Sequence, residues 1–376
     1  MGSRRFSLYI LIIITGLGRL TAQPADSVKK PVSLFPFPIV YYTPETRFAF
    51  GAVLSATFRF KRDYQFVRSD SARSRVALPI YDQPRPSNIQ FLGAYTQNRQ
   101  VLLFVPFQVF YDRNQFYIYG EAGYYQYSYN FYGLGQREVP AENYAVNYPR
   151  IRLNALRRLI PHLYAGLRYE YENYDITRVE PNGLLASGTV PGGLGGRMAG
   201  AGLGVFYDTR DNVFYPTKGI IADFSYLGHS RFIGSNFRYN RYVVDVSSYC
   251  KLNYRAILAF NYVVSITDGV APFSALSLLG GGRRMRGYYE GRYRDDNMTL
   301  LQAETRFTVW KRLSAVLFGA VGFLGDDKQV VRFSDPKGAY GAGFRFRINN
   351  DGLNIRADYG LGKQSTGLYL TIGEAF

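Results

Sequence analysis

Residues 162–173 read HLYAGLRYEYEN, and their parity decides the fold. In an extended chain Leu163, Ala165, Leu167, Tyr169 and Tyr171 share one face, while His162, Tyr164, Arg168, Glu170 and Glu172 share the other. The same alternation returns at 299–309, where Leu301, Ala303, Phe307 and Val309 oppose Gln302, Glu304, Arg306 and Thr308. Further on, Phe344, Phe346 and Ile348 oppose Arg345 and Arg347, and Leu353, Ile355, Ala357 and Tyr359 oppose Asn354, Arg356 and Asp358. A soluble sandwich alternates as well, but its apolar face meets a second sheet. These segments are long and carry tyrosine at their ends, as expected for lipid outside, a polar lumen inside and aromatic girdles at two interfaces. The reading is all-β, a transmembrane antiparallel β-barrel.

Composition agrees. Of 376 residues 17% are aromatic and 19% charged, with 34 Tyr, 28 Phe and 39 Gly. A charged fraction below the roughly 25% of soluble domains, with this aromatic content, excludes a disordered chain. One cysteine excludes a disulfide scaffold, and two histidines leave little for a metal or catalytic centre. Neither His162 nor His229 has an evident Ser or Asp partner, so no enzyme and no cofactor is expected.

The N-terminus reads as a targeting segment. Arg4 and Arg5 precede the apolar run 6–15, and Leu20-Thr21-Ala22 offers a cleavage site before Gln23. Removing 1–22, which holds three arginines and no acid, takes the net charge from +17 to +14. The expected organisation is a signal peptide at 1–22, a short periplasmic arm at 23–34 and a barrel over 35–376. No later apolar run is long enough for a membrane helix. With an export signal, the basic charge points away from nucleic acid. It suits a cationic lumen (Arg345, Arg347, Arg356) or basic outer loops against anionic lipopolysaccharide.

Alternation and turn residues predict strands near 35–43, 47–61, 88–97, 100–111, 115–128, 146–158, 162–175 and 197–207. They continue at 218–230, 236–252, 255–267, 297–310, 313–325, 337–349, 352–361 and 366–376. That makes sixteen, an even number with both termini on the periplasmic side. Two connections exceed a turn: a proline-bearing segment at 62–87 and a Gly/Arg-rich loop at 268–296.

Two motifs carry a family resemblance. One is Asp208-Thr209-Arg210-Asp211-Asn212, followed by Tyr215-Pro216-Thr217-Lys218-Gly219. The other is Gly280-Gly281-Gly282, then Met285-Arg286-Gly287-Tyr288. Minor echoes are Phe131-Tyr132-Gly133-Leu134-Gly135 and Tyr42-Thr43-Pro44-Glu45-Thr46. Together with the C-terminal strands ending in Phe376, these resemble the barrel of the BamA/TamA family, the bacterial surface antigen superfamily of outer-membrane insertases and translocases. The resemblance implies that loop 268–296 folds into the lumen, where Arg286, Gly287 and Tyr288 meet Glu304. It often supplies a second acid on the thirteenth strand, where this chain has Ala320. The Asp208–Asn212 motif, with Pro216 and Gly219, reads chiefly as a turn and folding signal. Periplasmic POTRA modules usually precede such barrels, and residues 23–34 are too few for one.

The seam between first and last strands is the remaining feature. Pro36 and Pro38 lack the N–H a ladder needs, and Gly367 and Gly373 weaken the last strand. A seam that opens sideways would offer an edge to an incoming strand. The alternative places both prolines in the periplasmic arm, ahead of a strand that starts late. The expected role is to assist insertion or translocation of unfolded outer-membrane or surface proteins, in outer-membrane lipid and alongside other assembly subunits. The rival expectation is a passive channel or accessory subunit.

Overall fold

The computed structural model describes residues 32–63, 84–135, 139–326, 335–348 and 352–376. The expected signal peptide, most of the arm and most of segment 62–87 lie outside the described residues. The described strands are β1 (Val32–Thr43), β2 (Arg47–Phe58), β3 (Ser87–Thr96), β4 (Val101–Tyr111), β5 (Phe116–Phe131) and β6 (Glu142–Ile160). They continue as β7 (Leu163–Arg178), β8 (Gly196–Asp208), β9 (Gly219–His229), β10 (Arg238–Lys251), β11 (Ala256–Val270) and two short strands, β12 (Ser277–Leu279) and β13 (Tyr293–Asp295). The last are β14 (Asn297–Trp310), β15 (Leu313–Gly325), β16 (Lys337–Arg347), β17 (Asn354–Gly362) and β18 (Ser365–Ile372).

All but β12 and β13 join one closed barrel of sixteen antiparallel strands in chain order, with β18 returning to β1. Each wall strand falls on a segment read from alternation. The reason is visible in one triplet: Phe344 and Phe346 are 58% and 51% exposed, while Arg345 between them is 1% exposed. Apolar groups face out and charged groups are hidden inside, the reverse of a soluble domain. Closing the ladder on itself keeps wall backbone paired in lipid everywhere except along much of the β1–β18 junction.

Two boundaries differ from expectation in ways that matter. β1 begins at Val32, so Pro36 and Pro38 lie inside the strand, opposite Leu54 and Ala52 of β2, rather than in an arm. β18 ends at Ile372, not at Phe376. Gly373 adopts φ +89, a left-handed conformation that turns the chain off the wall.

The lumen is packed unevenly. Across β4 to β7 the rings of Phe104, Tyr125, Tyr148 and Tyr174 stack in sequence at 5.8, 5.0 and 4.5 Å. Arg150 lies over Tyr125 and Tyr148. Phe273, from the connection between β11 and β14, packs edge-on against Phe131 and Tyr144 of the same cluster. An even count of antiparallel strands puts both ends of the wall at one end of the barrel, the terminus end. The β8–β9 turn is at that end and the β11–β14 loop at the other.

Candidate functional site

After Val270 the chain leaves the wall and folds back along its inner face. β12 and β13 pair as a ribbon, and Leu279, Met285, Tyr288 and Tyr293 join wall residues Val263, Met298, Leu300 and Leu324 in one buried cluster. Gln302 of β14 fixes the approach to the motif: its Oε1 accepts from the Met285 N–H at 3.0 Å, and its Nε2 donates to the Arg283 carbonyl at 3.1 Å.

Arg286 is then delivered between two carboxylates. Its Nη2 donates to Glu304 Oε2 at 2.6 Å and its Nη1 to Asp358 Oδ2 at 2.5 Å. The guanidinium also lies over the Phe318 ring of β15, 3.6 Å from its centroid. Glu304 was expected here. The second acid, missing at Ala320, is supplied instead by Asp358 of β17. Ala320 faces Gln302 across the β14–β15 ladder. Arg286 is 2% exposed, buried against the inner wall rather than solvated in the loop.

Gly287 and Tyr288 complete the dock. Gly287 has φ +119, and its N–H donates to the Tyr369 hydroxyl at 3.2 Å while its carbonyl accepts from Ser365 Oγ at 2.8 Å. The Tyr288 hydroxyl donates to the Gly338 carbonyl at 3.0 Å and accepts from the Lys363 N–H at 2.7 Å. Tyr369 Oη donates to the Tyr288 carbonyl at 2.9 Å. The wall makes room at Gly360, where a methyl group would come within 2.6 Å of the Arg286 carbonyl carbon and the Gly287 nitrogen. Tyr369 and Ser365 sit on β18, so the loop is bonded directly to the last strand.

The ionic network extends to the chain's last described residues. Arg345 donates to Asp358 Oδ1 at 2.5 Å and to Glu374 Oε2 at 2.7 Å. Arg306 donates to Glu304 Oε1 at 2.8 Å and to the Phe376 main-chain oxygen at 3.2 Å. Asn354 Nδ2 holds the other Glu374 oxygen at 2.7 Å. Beyond Gly373 the chain therefore turns inward, and Phe376 does not extend the barrel ladder. Gly367, by contrast, stays in β18 opposite Gly360. Sequence reasoning placed Arg306, Arg345 and Asp358 on polar faces without pairing them. Only their shared inward parity marked them. Four guanidinium groups (Arg286, Arg306, Arg345, Arg356) and three carboxylates (Glu304, Asp358, Glu374) share a site with almost no water access. Such a set can hold and couple segments; it presents no nucleophile–base pair.

The Asp208 motif builds the β8–β9 turn. Asp208 takes Arg210 through both carboxylate oxygens, at 3.0 and 3.1 Å. Asp211 Oδ1 accepts from the Thr217 and Lys218 N–H groups, and Asn212 Oδ1 from those of Phe214 and Tyr215. Thr209 Oγ1 accepts from the Ile220 N–H. Gly219, after Pro216, has φ +102 where β9 begins. The turn also reaches the network: Tyr215 lies under both Arg306 and Arg347, at 5.4 and 5.6 Å from its ring centroid. The two sequence motifs thus meet through Arg306.

Both minor echoes touch the loop as well. Gly135 donates its N–H to the Arg294 carbonyl at 2.8 Å, and Glu45 Oε1 accepts from the Glu290 N–H at 2.7 Å. Of the histidines, His229 contacts Glu170 at 2.9 Å and stacks on Tyr239, an inner-wall arrangement.

The seam is the least paired junction. β1 runs in register with β2 from Val32–Phe58 to Thr43–Arg47, but with β18 only Tyr42 and Leu370 are partnered.

The pattern of the Omp85 superfamily domain matches residues 97–376. The fold is similar to that of BamA from Haemophilus ducreyi lacking POTRA domains 1–3 (TM-score 0.59, 12% identity, 91% of this chain and 70% of that one). It is also similar to CdiB from Acinetobacter baumannii (TM-score 0.58, 13% identity) and CdiB from Escherichia coli (TM-score 0.59, 11% identity). Each covers 91% of this chain, which spans 60% and 62% of theirs. A search of curated proteins found no match. With a family pattern over most of its length and a closed sixteen-stranded wall around a clamped lumen loop, the chain belongs to the Omp85 superfamily and is a β-barrel of the bacterial outer membrane.

Proposed function

We propose that this barrel assists insertion or translocation of outer-membrane or surface proteins by opening between β1 and β18, with the Arg286 loop holding the closed state. The observation that carries the reading is the single partnered pair, Tyr42–Leu370, at a junction where every other wall pair is extensively registered. Each unmade ladder bond forfeits on the order of 1 kcal/mol, so this junction is the least costly one to part. An opened β1 or β18 would offer unpaired backbone to a client strand, which lipid cannot satisfy.

Wall height supports the same place. At about 3.4 Å per residue and a tilt of about 40°, the 8-residue β18 rises about 21 Å along the membrane normal, short of an apolar band about 25 Å tall. Five strands round the wall from β1, β6 has 19 residues. The thinnest lipid contact therefore coincides with the weakest pairing.

The test locks the seam. With Cys250 replaced by Ser, Tyr42→Cys and Leu370→Cys would be joined by oxidation in proteoliposomes. Folding of an unfolded outer-membrane protein should be accelerated by the reduced barrel and not by the oxidised one, with recovery on reduction. Equal acceleration in both states would remove the seam from the mechanism. No acceleration in either, with the barrel folded, would favour a passive channel or accessory subunit.

A further inference from the structure

At the terminus end, two neighbouring turns of the wall carry a patch that neither the clamp nor the seam uses. The end of β10 and its turn into β11 hold Lys251, Leu252, Asn253, Tyr254 and Arg255; the end of β14 and its turn into β15 hold Val309, Trp310, Lys311 and Arg312. β11 and β14 are paired, and the Thr308 N–H donates to the Arg255 carbonyl at 2.8 Å, so the two turns sit side by side. All nine residues are exposed, Tyr254 at 79% and Trp310 at 66%.

Their chemistry is uniform. The patch has four cations and no acid among its own residues, and no ion pair holds any of the four within the described residues. Two of the cations lie over its own aromatic rings: Arg255 is 5.1 Å from the Tyr254 centroid and Lys311 is 5.2 Å from that of Trp310. The turn backbone is fixed independently of them, since Asn253 Oδ1 accepts from the Arg255 and Ala256 N–H groups. Toward the membrane interior the same strands turn Phe307, Phe260 and Leu317 outward. The patch is therefore the rim of the lipid-facing wall. Tyr and Trp favour that depth because ring and polar tip are satisfied together, and Lys and Arg stems extend from it toward the headgroups.

We propose that the β10–β11 and β14–β15 turns together bind the phosphate headgroup of an anionic phospholipid in the leaflet at the terminus end. Guanidinium and ammonium donors face the phosphate, while Leu252, Val309 and the two rings seat against the upper acyl chain. The proposal rests on the outer-membrane placement of the barrel and is independent of the seam.

Trp310 is the chain's single tryptophan, which makes it a reporter inside the patch. The full-length barrel would be folded into phosphatidylcholine bilayers containing a small fraction of brominated lipid, either phosphatidylglycerol or phosphatidylcholine. Preferential binding predicts stronger Trp310 quenching by brominated phosphatidylglycerol, with a local enrichment of about five-fold for each cation engaged. High salt should abolish the excess, and so should a folded variant carrying Lys251→Gln, Arg255→Gln, Lys311→Gln and Arg312→Gln. Equal quenching by the two lipids in the unmodified protein overturns the proposal. An excess that persists in the folded variant overturns it too, by assigning the preference to another part of the wall. If the variant does not fold, the salt series on the unmodified protein decides.

Discussion

Glu45, in the turn between β1 and β2, accepts the main-chain N–H of Glu290 from the lumen loop, although 245 positions separate them. The loop is thereby tied to the turn that follows β1 as well as to β18, so it is anchored on both sides of the seam. Glu45 is 3% exposed, and Asn98 and Gln100 bind its carbonyl. Burial, then the Glu290 carboxylate, pushes the Glu45 carboxyl from 4.5 up to about 7. Burial raises Glu290 as well, against the pull of Arg150, Arg284, Arg294 and Arg283.

Docking of the loop at Glu45 should weaken as pH rises, because burial and the Glu290 charge oppose ionisation more than the Glu290 N–H favours it. A carboxyl whose folded value lies above its free value favours the docked state while protonated. Its contribution is full below the free value and is lost as pH climbs through about 7. The largest swing is about 3 kcal/mol. Thermal unfolding in detergent should show the midpoint falling between about pH 5 and about pH 8. Glu45→Gln keeps the acceptor and removes the charge, so its midpoint should vary less over that window. Parallel curves would show that Glu45 does not titrate in the docked loop.

The Arg286 bridge makes a second, sharper prediction. Asp358→Asn leaves both Arg286 and Arg345 short of a buried counter-charge, and breaking such pairs costs about 3–5 kcal/mol. Arg286→Lys should lose much of this too, because a point charge cannot span Glu304 and Asp358 as the guanidinium fork does. Thermal midpoints of the folded barrel measure both. A loss confined to Asp358→Asn would mean that charge alone, not fork geometry, holds the loop.

The wall was legible because its signal is local. Leu301 and Phe307 against Glu304 and Arg306 announce a two-sided strand without reference to anything distant. The pairing of Arg286 was only half legible. Glu304 follows from an ordered motif and a parity, but Asp358 lies three wall strands from β14, and no spacing in the sequence says which strand a returning loop will meet. The tail was misread for a different reason. Leu368, Leu370 and Ile372 keep a period of two that Phe376 rejoins after the break at Glu374, so parity alone carries the strand to the end. Continued in that way, Glu374 would face lipid, and with Gly373 before it that is the signal for an inward turn. The two minor echoes, at 42–46 and 131–135, were visible as residues; that both touch the loop required the fold.

The inward tail carries the third prediction. Glu374 holds Arg345, Arg306 and Asn354 together, so Glu374→Gln should release residues 373–376 from the lumen while sparing the β17–β18 ladder. The expected cost is about 1–3 kcal/mol, that of a buried donor losing a charged partner. Carboxypeptidase digestion of the folded protein reads it directly. The variant should be trimmed faster than the unmodified chain, and equal rates would mean that Gly373 alone directs the tail.

Gly360 offers a way to expel the loop without touching a charge. A methyl group there meets the main chain of Arg286 and Gly287, atoms that no rotamer change can move aside. Gly338 is the matched control, since a methyl group at that position meets nothing within 4 Å and the carbonyl that accepts from Tyr288 is retained. Gly360→Ala should leave the wall closed, because its ladder to Gly341 and Gly367 uses backbone only, while the loop loses its dock. A sixteen-stranded barrel whose loop has left is wide enough for an aqueous path, so planar-bilayer conductance should rise in Gly360→Ala and stay unchanged in Gly338→Ala. A folded Gly360→Ala barrel with unaltered conductance would mean that the stacked rings on β4 to β7, rather than the Arg286 loop, close the lumen.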